Sequence, residues 1–300
     1  MPNRPILLSV VIPTWNAAEL TVTTLTGLVR EGVPTWAEVV VVDDGSHDGT
    51  AVRLRRLFPQ IVVLRHERNL GFGAAVNTGF LHAKGRYLGI VNNDVLVTWA
   101  CLHRLVRFLE ERADSGAVTP LLLDASGACT RMGFDCPRTP WQLVVRRLFR
   151  RTADGQRLSA TAAAPYTSEY LRGACVVFKR AALETSGLFD EQYHTFAEDI
   201  DLFCRLWRSS WTAWVLPGES ATHYEGRTTR NHPDPAKAAR FRQQSKLDVL
   251  ELPTSRYQKA TNPIHVPNLR MLQSAPSGEP HEYPGTREFC PLEKVKLAWT

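Results

Sequence analysis

Along the first 115 positions, apolar residues fall into two alternating patterns. Short unbroken runs recur at Leu7 to Ile12, Glu38 to Val42, Ile61 to Leu64 and Tyr87 to Val91. Their length and continuity suit strands buried on both faces. Between them lie stretches with helical spacing. Glu19 to Glu31 places Leu20, Thr24, Leu25, Leu28 and Val29 on one face and stops at Gly32 and Pro34. A second helix is expected from a cap at Ser46 or Asp48 to Phe58, with Pro59 beyond its end. Gly71 to Lys84, rich in small residues, and Thr98 to Arg112 complete the series. This β-α-β-α rhythm predicts a parallel, doubly wound sheet with right-handed crossovers.

The pattern weakens from about Leu121 to Tyr166, where Gly127, Gly133, Pro137 and Pro140 interrupt it. Order returns with a strand over Tyr170 to Lys179, a short helix near Ala181 to Thr185, a helix from Asp199 to Ser209 and a strand from Thr212 to Leu216. Asp234 to Leu250 reads as a last helix. Beyond Pro253 the chain is crowded with Pro, Ser, Gly, Asn and Glu, so residues 253–300 are expected to form a mobile tail or loose extension.

Composition adds bounds. With 300 residues, 44% of them hydrophobic and 22% charged, the chain can bury the core of a large α/β domain. No apolar stretch is long enough to span a bilayer, and the N-terminus lacks the layout of a signal peptide, so a cytoplasmic protein is expected. The six cysteines form no Cys-x-x-Cys pair, which argues against a zinc site or disulfide framework. The net charge of +6 suits an anionic ligand or lipid surface without choosing between them. Nucleic acid would rest on that charge alone and is not expected as a partner. Arg146, Arg147, Arg150 and Arg151 suit either a solvated face or a peripheral contact with anionic lipid headgroups.

The chemistry gathers where the strands end, the edge at which open α/β sheets bind ligands. Pro13-Thr14-Trp15-Asn16 offers an aromatic ring and backbone groups for a nucleoside, though an ordinary turn would look the same. Asp43-Asp44-Gly45-Ser46 puts two acids at a strand end; one can accept from a base N–H, or the string can simply cap a helix. Asn92-Asn93-Asp94 suits oxygen ligation of Mg²⁺ or Mn²⁺ shared with a pyrophosphate, but needs a further protein ligand. Gly71-Phe72-Gly73 lacks the third glycine of a dinucleotide fingerprint, because Val76 stands there. Glu198-Asp199 opens a helix, where acids favour the dipole; a carboxylate there can also serve as general base for a sugar hydroxyl. His223 follows a strand and can bring an imidazole to the metal.

Taken together these strings resemble the inverting glycosyltransferases of the GT-A fold, especially bacterial rhamnosyltransferases and their galactofuranosyltransferase relatives. The matching pieces are Ser9 to Asn16, Val41 to Thr50, Asn69 to Gly79, Asn92 to Val95, Arg172 to Cys175, Gly187 to Glu191 and Phe196 to Asp201, spread over about residues 7–250. The resemblance implies an α/β GT-A fold with a Rossmann-like, mostly parallel sheet in residues 1–252. Its nucleotide half would span about 1–115 and its acceptor half about 116–252. It also implies roles. Pro13, Thr14, Trp15 and Asn16 would meet the nucleoside, with Asp44 on the base, Asp43 supporting the turn and Asn69 nearby. Gly71 and Asn93 would line the donor. Asp94 would be the last acid of the Asp-x-Asp metal motif, whose first acid is here Asn92. His223 would be the second ligand to Mn²⁺ or Mg²⁺. Asp199 would be the catalytic base, Glu198 would help bind the acceptor, and Gly173 would make a tight turn against sugar and acceptor.

The implied reaction moves a rhamnose-like or other hexose from a nucleotide-diphosphate donor, with dTDP- or UDP-sugars as candidates. The acceptor would be a glycan or lipid-linked saccharide at the inner membrane face, and the context cell-surface polysaccharide synthesis. A nucleotidyltransferase, or a non-catalytic relative that only binds a sugar nucleotide or glycan, are the alternatives. The first would want a basic glycine-rich loop near the N-terminus, which Pro13 to Asn16 does not supply.

Overall fold

A computed structural model of the chain describes residues 5–130, 164–193 and 198–224. The Arg146–Arg151 cluster, the Asp234 to Leu250 helix, the tail 253–300 and residues Phe196 and Ala197 lie outside the described residues.

The first half follows the expected alternation. Strand β1 (Leu8–Thr14) leads to helix α1 (Ala18–Val29), β2 (Ala37–Asp43), α2 (Thr50–Leu57), β3 (Val62–Arg65), α3 (Phe72–His82) and β4 (Tyr87–Val91). A two-residue strand β5 (Val95–Leu96) precedes α4 (Trp99–Glu111) and β6 (Ser115–Leu123). The second half adds β7 (Tyr166–Thr167), β8 (Cys175–Lys179), α5 (Arg180–Ser186), α6 (Glu198–Arg208) and β9 (Thr212–His223).

One sheet runs in the order β3-β2-β1-β4-β8-β6-β9-β5, with β7 also pairing β9. β3, β2, β1 and β4 pair in parallel. β8 is antiparallel to β4 and to β6, and β6 is parallel to β9. Six of the longer strands therefore run one way and β8 runs back between them. The ends of β1, β2, β4, β6 and β9 and the start of β8 share one edge of the sheet.

The core follows from the apolar runs. Val10, Val11, Ile12, Val40, Val41, Val42, Ile90 and Val91 have no exposed surface. Helix α4 turns Cys101, Leu102, Leu105, Val106, Phe108 and Leu109 onto the sheet, and the Thr98 hydroxyl caps it by accepting from Cys101 N at 3.1 Å. Helix α3 lies close against β1 because its contact face is small. A methyl on Gly79 would sit 2.3 Å from Val11 Cγ1.

Three expectations are corrected. The segment Tyr170 to Ala174 is not strand; only Cys175–Lys179 pairs. The last strand does not end at Leu216 but continues to His223, because three extra residues bulge out between Leu216 and Ser220 while β6 advances one position. The α2 cap is neither Ser46 nor Asp48. Gly49 takes that position at φ 78°, while Asp48 Oδ1 accepts from Thr50 N at 3.1 Å and Ser46 Oγ turns to Asn16.

Candidate active site

The chain leaving β1 is laced to the chain leaving β2. Asp44 N donates to Thr14 O at 2.8 Å, Asn16 N to Ser46 Oγ at 2.8 Å, and His47 N to Asn16 Oδ1 at 2.8 Å. Asn16 adopts φ 46°, a conformation asparagine tolerates. Trp15 is half-buried at the mouth of this turn. The two acids then divide their work. Asp43 accepts from Ser46 N at 2.9 Å with Oδ1, while its buried Oδ2 has no hydrogen-bond partner among the described residues and lies 3.4 Å from Arg65 Nε. Asp44 accepts from Leu70 N and Gly71 N, both at 2.9 Å, and meets His66 Nδ1 at 2.7 Å. It thereby fastens the Asn69-Leu70-Gly71 loop beside the first two strand ends. Gly71 itself sits at φ 102°, where a side chain would be strained.

The loop after β4 is held from below. Asn93, expected to face the donor, directs its amide nitrogen to Thr14 Oγ1 at 3.2 Å, and its carbonyl accepts from Thr24 Oγ1 at 2.7 Å. Thr14 Oγ1 and Thr21 Oγ1 lie 2.7 Å apart beneath it. This buried network orients the next residue. Asp94 Oδ1 is buried without a hydrogen-bond partner among the described residues and lies 3.2 Å from His223 Nε2. Two features bring that imidazole there: β5 pairs Val95 with His223, and Tyr224 N donates to Asp94 O at 2.9 Å. Asn92 Oδ1, two residues before Asp94, is likewise buried without a partner. An orphaned carboxylate oxygen beside an imidazole, with an orphaned amide oxygen two positions earlier in the chain, is a donor set that fits a divalent cation. Among the described residues no group of three or more His, Cys, Asp or Glu side chains forms a complete cage.

Helix α6 delivers the acids of the second half. Arg205 bonds Asp201 Oδ2 at 2.8 Å, Ser186 O at 2.5 Å and Leu188 O at 2.7 Å, tying α6 to the turn after α5. Asn77 of α3 grips the next residues. It donates to Phe189 O at 2.9 Å and to Glu191 Oε1 at 2.8 Å, and accepts from Phe189 N at 3.0 Å. At the helix start Glu198 is buried and its Oε2 has no partner among the described residues; burial first, then the neighbouring Asp199 charge, pushes it up to about 8. Burial also raises Asp199, but donors oppose it: Tyr170 Oη at 2.7 Å from Oδ2, Ile200 N at 2.9 Å from Oδ1, and Gly173 N. Burial thus raises both carboxyls, and the donors around Asp199 counter that rise by favouring its charged form. Asp199 itself is half-buried.

A continuous series of contacts links these groups along the shared sheet edge. Asp199 lies against Gly173, where a β-carbon would come 3.6 Å from its carboxylate, and Ala174 O accepts from Asn92 N at 2.8 Å. Asn92 leads to Asp94 and His223, and Asn93 leads back to Thr14. Pro13 is buried in β1, and Asn69 is half-buried beside the Leu70 amide that Asp44 holds. Tyr170, Thr24 and His66 had drawn no functional reading in the sequence. Tyr170 reads there as a strand residue and Thr24 as part of an apolar helix face, and their partners are distant in the chain.

Residues 9–125 match the family described as Glycosyl transferase family 2. Over 223 residues the chain is 26% identical to N-acetylglucosaminyl-diphospho-decaprenol L-rhamnosyltransferase of Mycobacterium tuberculosis, covering 65% of this chain and 69% of that protein. Among solved structures, GalNAc-T7 with UDP, GalNAc and Mn²⁺ superposes with a TM-score of 0.59 at 19% identity, covering 85% of this chain and 50% of that one. A mannosyltransferase from Pyrobaculum calidifontis in complex with GDP-Man and Mn²⁺ gives 0.54 at 20% identity, covering 87% of this chain and 68% of that one.

Proposed function

Because the chain carries a glycosyl transferase family 2 domain on a GT-A fold and is a glycosyltransferase, we propose that it transfers a hexose with inversion from a nucleoside-diphosphate donor to a hydroxyl of a glycan or lipid-linked acceptor. The observation that carries this reading is the Asp199 carboxylate, held by the Tyr170 hydroxyl and two backbone amides, on the same sheet edge as the acids after β2 and β4.

The steps follow from that arrangement. A sugar hydroxyl is a poor nucleophile near neutral pH, so a carboxylate in reach must remove its proton as it attacks. Asp199 takes that proton. The acceptor oxygen forms its bond to the anomeric carbon on the face opposite the diphosphate, the bond from that carbon to the diphosphate oxygen breaks, and the nucleoside diphosphate departs with the electron pair. Glu198, holding its own proton, keeps a second negative charge away from Asp199 and faces the acceptor. The turn of Pro13 to Asn16, with Asp43, Asp44, Asn69 and Gly71, receives the nucleoside. Asp94 and His223, with Asn92 beside them, would hold Mn²⁺ or Mg²⁺, which supplies charge neutralisation for the leaving diphosphate when bound. By likeness to the mycobacterial rhamnosyltransferase, a nucleotide-linked rhamnose is the first donor to try, as the dTDP-sugar the sequence resemblance implies, and a UDP-sugar the second. No helix among the described residues is long and apolar enough to cross a membrane.

Asp199→Asn tests the base. Transfer should fall by about 100-fold or more, since general-base catalysis contributes on the order of 10² to 10⁴, while donor binding persists. Near-normal turnover in that variant removes the assignment. Release of nucleoside diphosphate distinguishes this reaction from nucleotidyl transfer, which releases pyrophosphate.

A further inference from the structure

We propose that Tyr170 is a positioning residue for proton transfer: its phenol, 2.7 Å from Oδ2, fixes the orientation of the Asp199 carboxylate. The inference rests on the reading of Asp199 as the base.

The phenol is placed by structure on both sides. Tyr170 lies in the segment leading into β8, and its backbone carbonyl accepts from Ser168 Oγ at 2.8 Å. Its ring is buried and meets Phe203 of α6 edge-on, centroids 5.9 Å apart at 90°. Phe203 in turn stacks on Phe178 of β8, 5.8 Å away at 30°. The phenol ring is thus anchored on the helix that carries the base, through Phe203, which in turn rests on β8. A carboxylate on a free χ2 torsion has a broad range of orientations. Here Tyr170 holds one oxygen, the Ile200 amide the other, and Gly173 N closes the third side.

Two physical consequences follow. An oriented base acts on the transfer step and leaves the donor pocket alone. A donated hydrogen bond also favours the charged carboxylate, so it extends the pH range in which the base is ready. The phenol stays a donor throughout that range, because burial first, then the neighbouring Asp199 charge, raise it well above its ordinary value. The other charged and titratable groups acting on this pair among the described residues are Glu198, from the same helix, and Arg172, from the lead-in to β8.

Tyr170→Phe keeps the ring contacts and removes only the hydroxyl. Steady-state kinetics over a pH series should show kcat lowered by about 10-fold to 100-fold, the range for losing a hydrogen bond to a charged group. The donor KM should stay within about 2-fold, a split that tells transfer from binding. The acid limb of kcat should move to higher pH. A ring-fluorinated tyrosine at position 170 keeps the shape and donates more strongly, so it should move that limb to lower pH; this reading does not depend on the Phe variant folding. In the Asp199→Asn background, Tyr170→Phe should cost nothing more. If Asp199→Asn is inactive while Tyr170→Phe and the fluorinated protein keep wild-type kcat and pH profile, the role given to Tyr170 is overturned and the base stands. If Asp199→Asn remains active, the base itself is misassigned and the inference falls with it.

Discussion

Glu198 and Asp199 are neighbours in one helical turn with opposite surroundings, and that contrast has a thermodynamic signature. Glu198 is raised from 4.5 to about 8, so the folded protein holds this proton more tightly than the unfolded chain does. Its neutral form contributes stability that is full below about pH 4.5 and is lost as pH rises through about 8. Glu198→Gln mimics the neutral form at every pH. The melting temperature of wild type should therefore fall more steeply than that of the variant across that window, by several degrees. Parallel curves would place the proton elsewhere. The roles of single residues were the least legible part of the sequence. The strand-end acids stand out there as pairs. Nothing in the sequence shows that Asp44 would hold Leu70 and Gly71, that Asn93 would turn inward to Thr14, or that Tyr170 would meet Asp199. Each depends on a partner 26 to 79 positions away.

Elements were far more legible, because their signal is periodic and local. The continuous apolar runs locate β1 to β4 within two residues, and the small residues of Gly71 to Lys84 mark a helix that packs close against β1. That closeness can be tested. Alanine at position 79 would favour the helix by about 1 kcal/mol in isolation. Its methyl, however, would lie 2.3 Å from Val11 Cγ1 and 2.9 Å from Cγ2, inside a core with no exposed surface. Overpacking of this kind costs about 1 to 3 kcal/mol, so it outweighs the propensity gain. Chemical denaturation of Gly79→Ala should show a net loss of up to about 2 kcal/mol, and adding Val11→Ala should recover part of it. A stabilised Gly79→Ala would mean that α3 can shift freely on the sheet. Elements failed to read where the signal was interrupted or short. Pro120 hides β6, Pro217-Gly218 looks like the end of β9 when it is only a bulge, and β5 and β7 are two residues each. Yet β5 is the strand that brings His223 opposite Val95, next to Asp94.

For the whole molecule the testable property is linkage between donor, ion and fold. A ligand that binds only the folded protein raises its melting temperature by mass action. A panel of nucleotide sugars with Mn²⁺ should identify one donor class that does so, and EDTA or His223→Ala should abolish most of the shift if Asp94 and His223 hold the ion. A donor shift indifferent to both would leave the sugar nucleotide and remove the metal. The GT-A architecture was legible from the alternation of elements and the order of motifs. The direction of β8 was not, since an apolar run reads alike in either direction.

That reversed strand governs where the chain can lengthen. For β1, β2, β4, β6 and β9, extra residues inserted ahead of the strand fall on the edge remote from the proposed site, and those inserted behind it fall on the edge that carries it. At β8 the polarity is inverted. Growth after Lys179 lands on the quiet edge, whereas one added residue between Tyr170 and Cys175 would swing the phenol, the glycine and the carbonyl that anchors Asn92 out of register together.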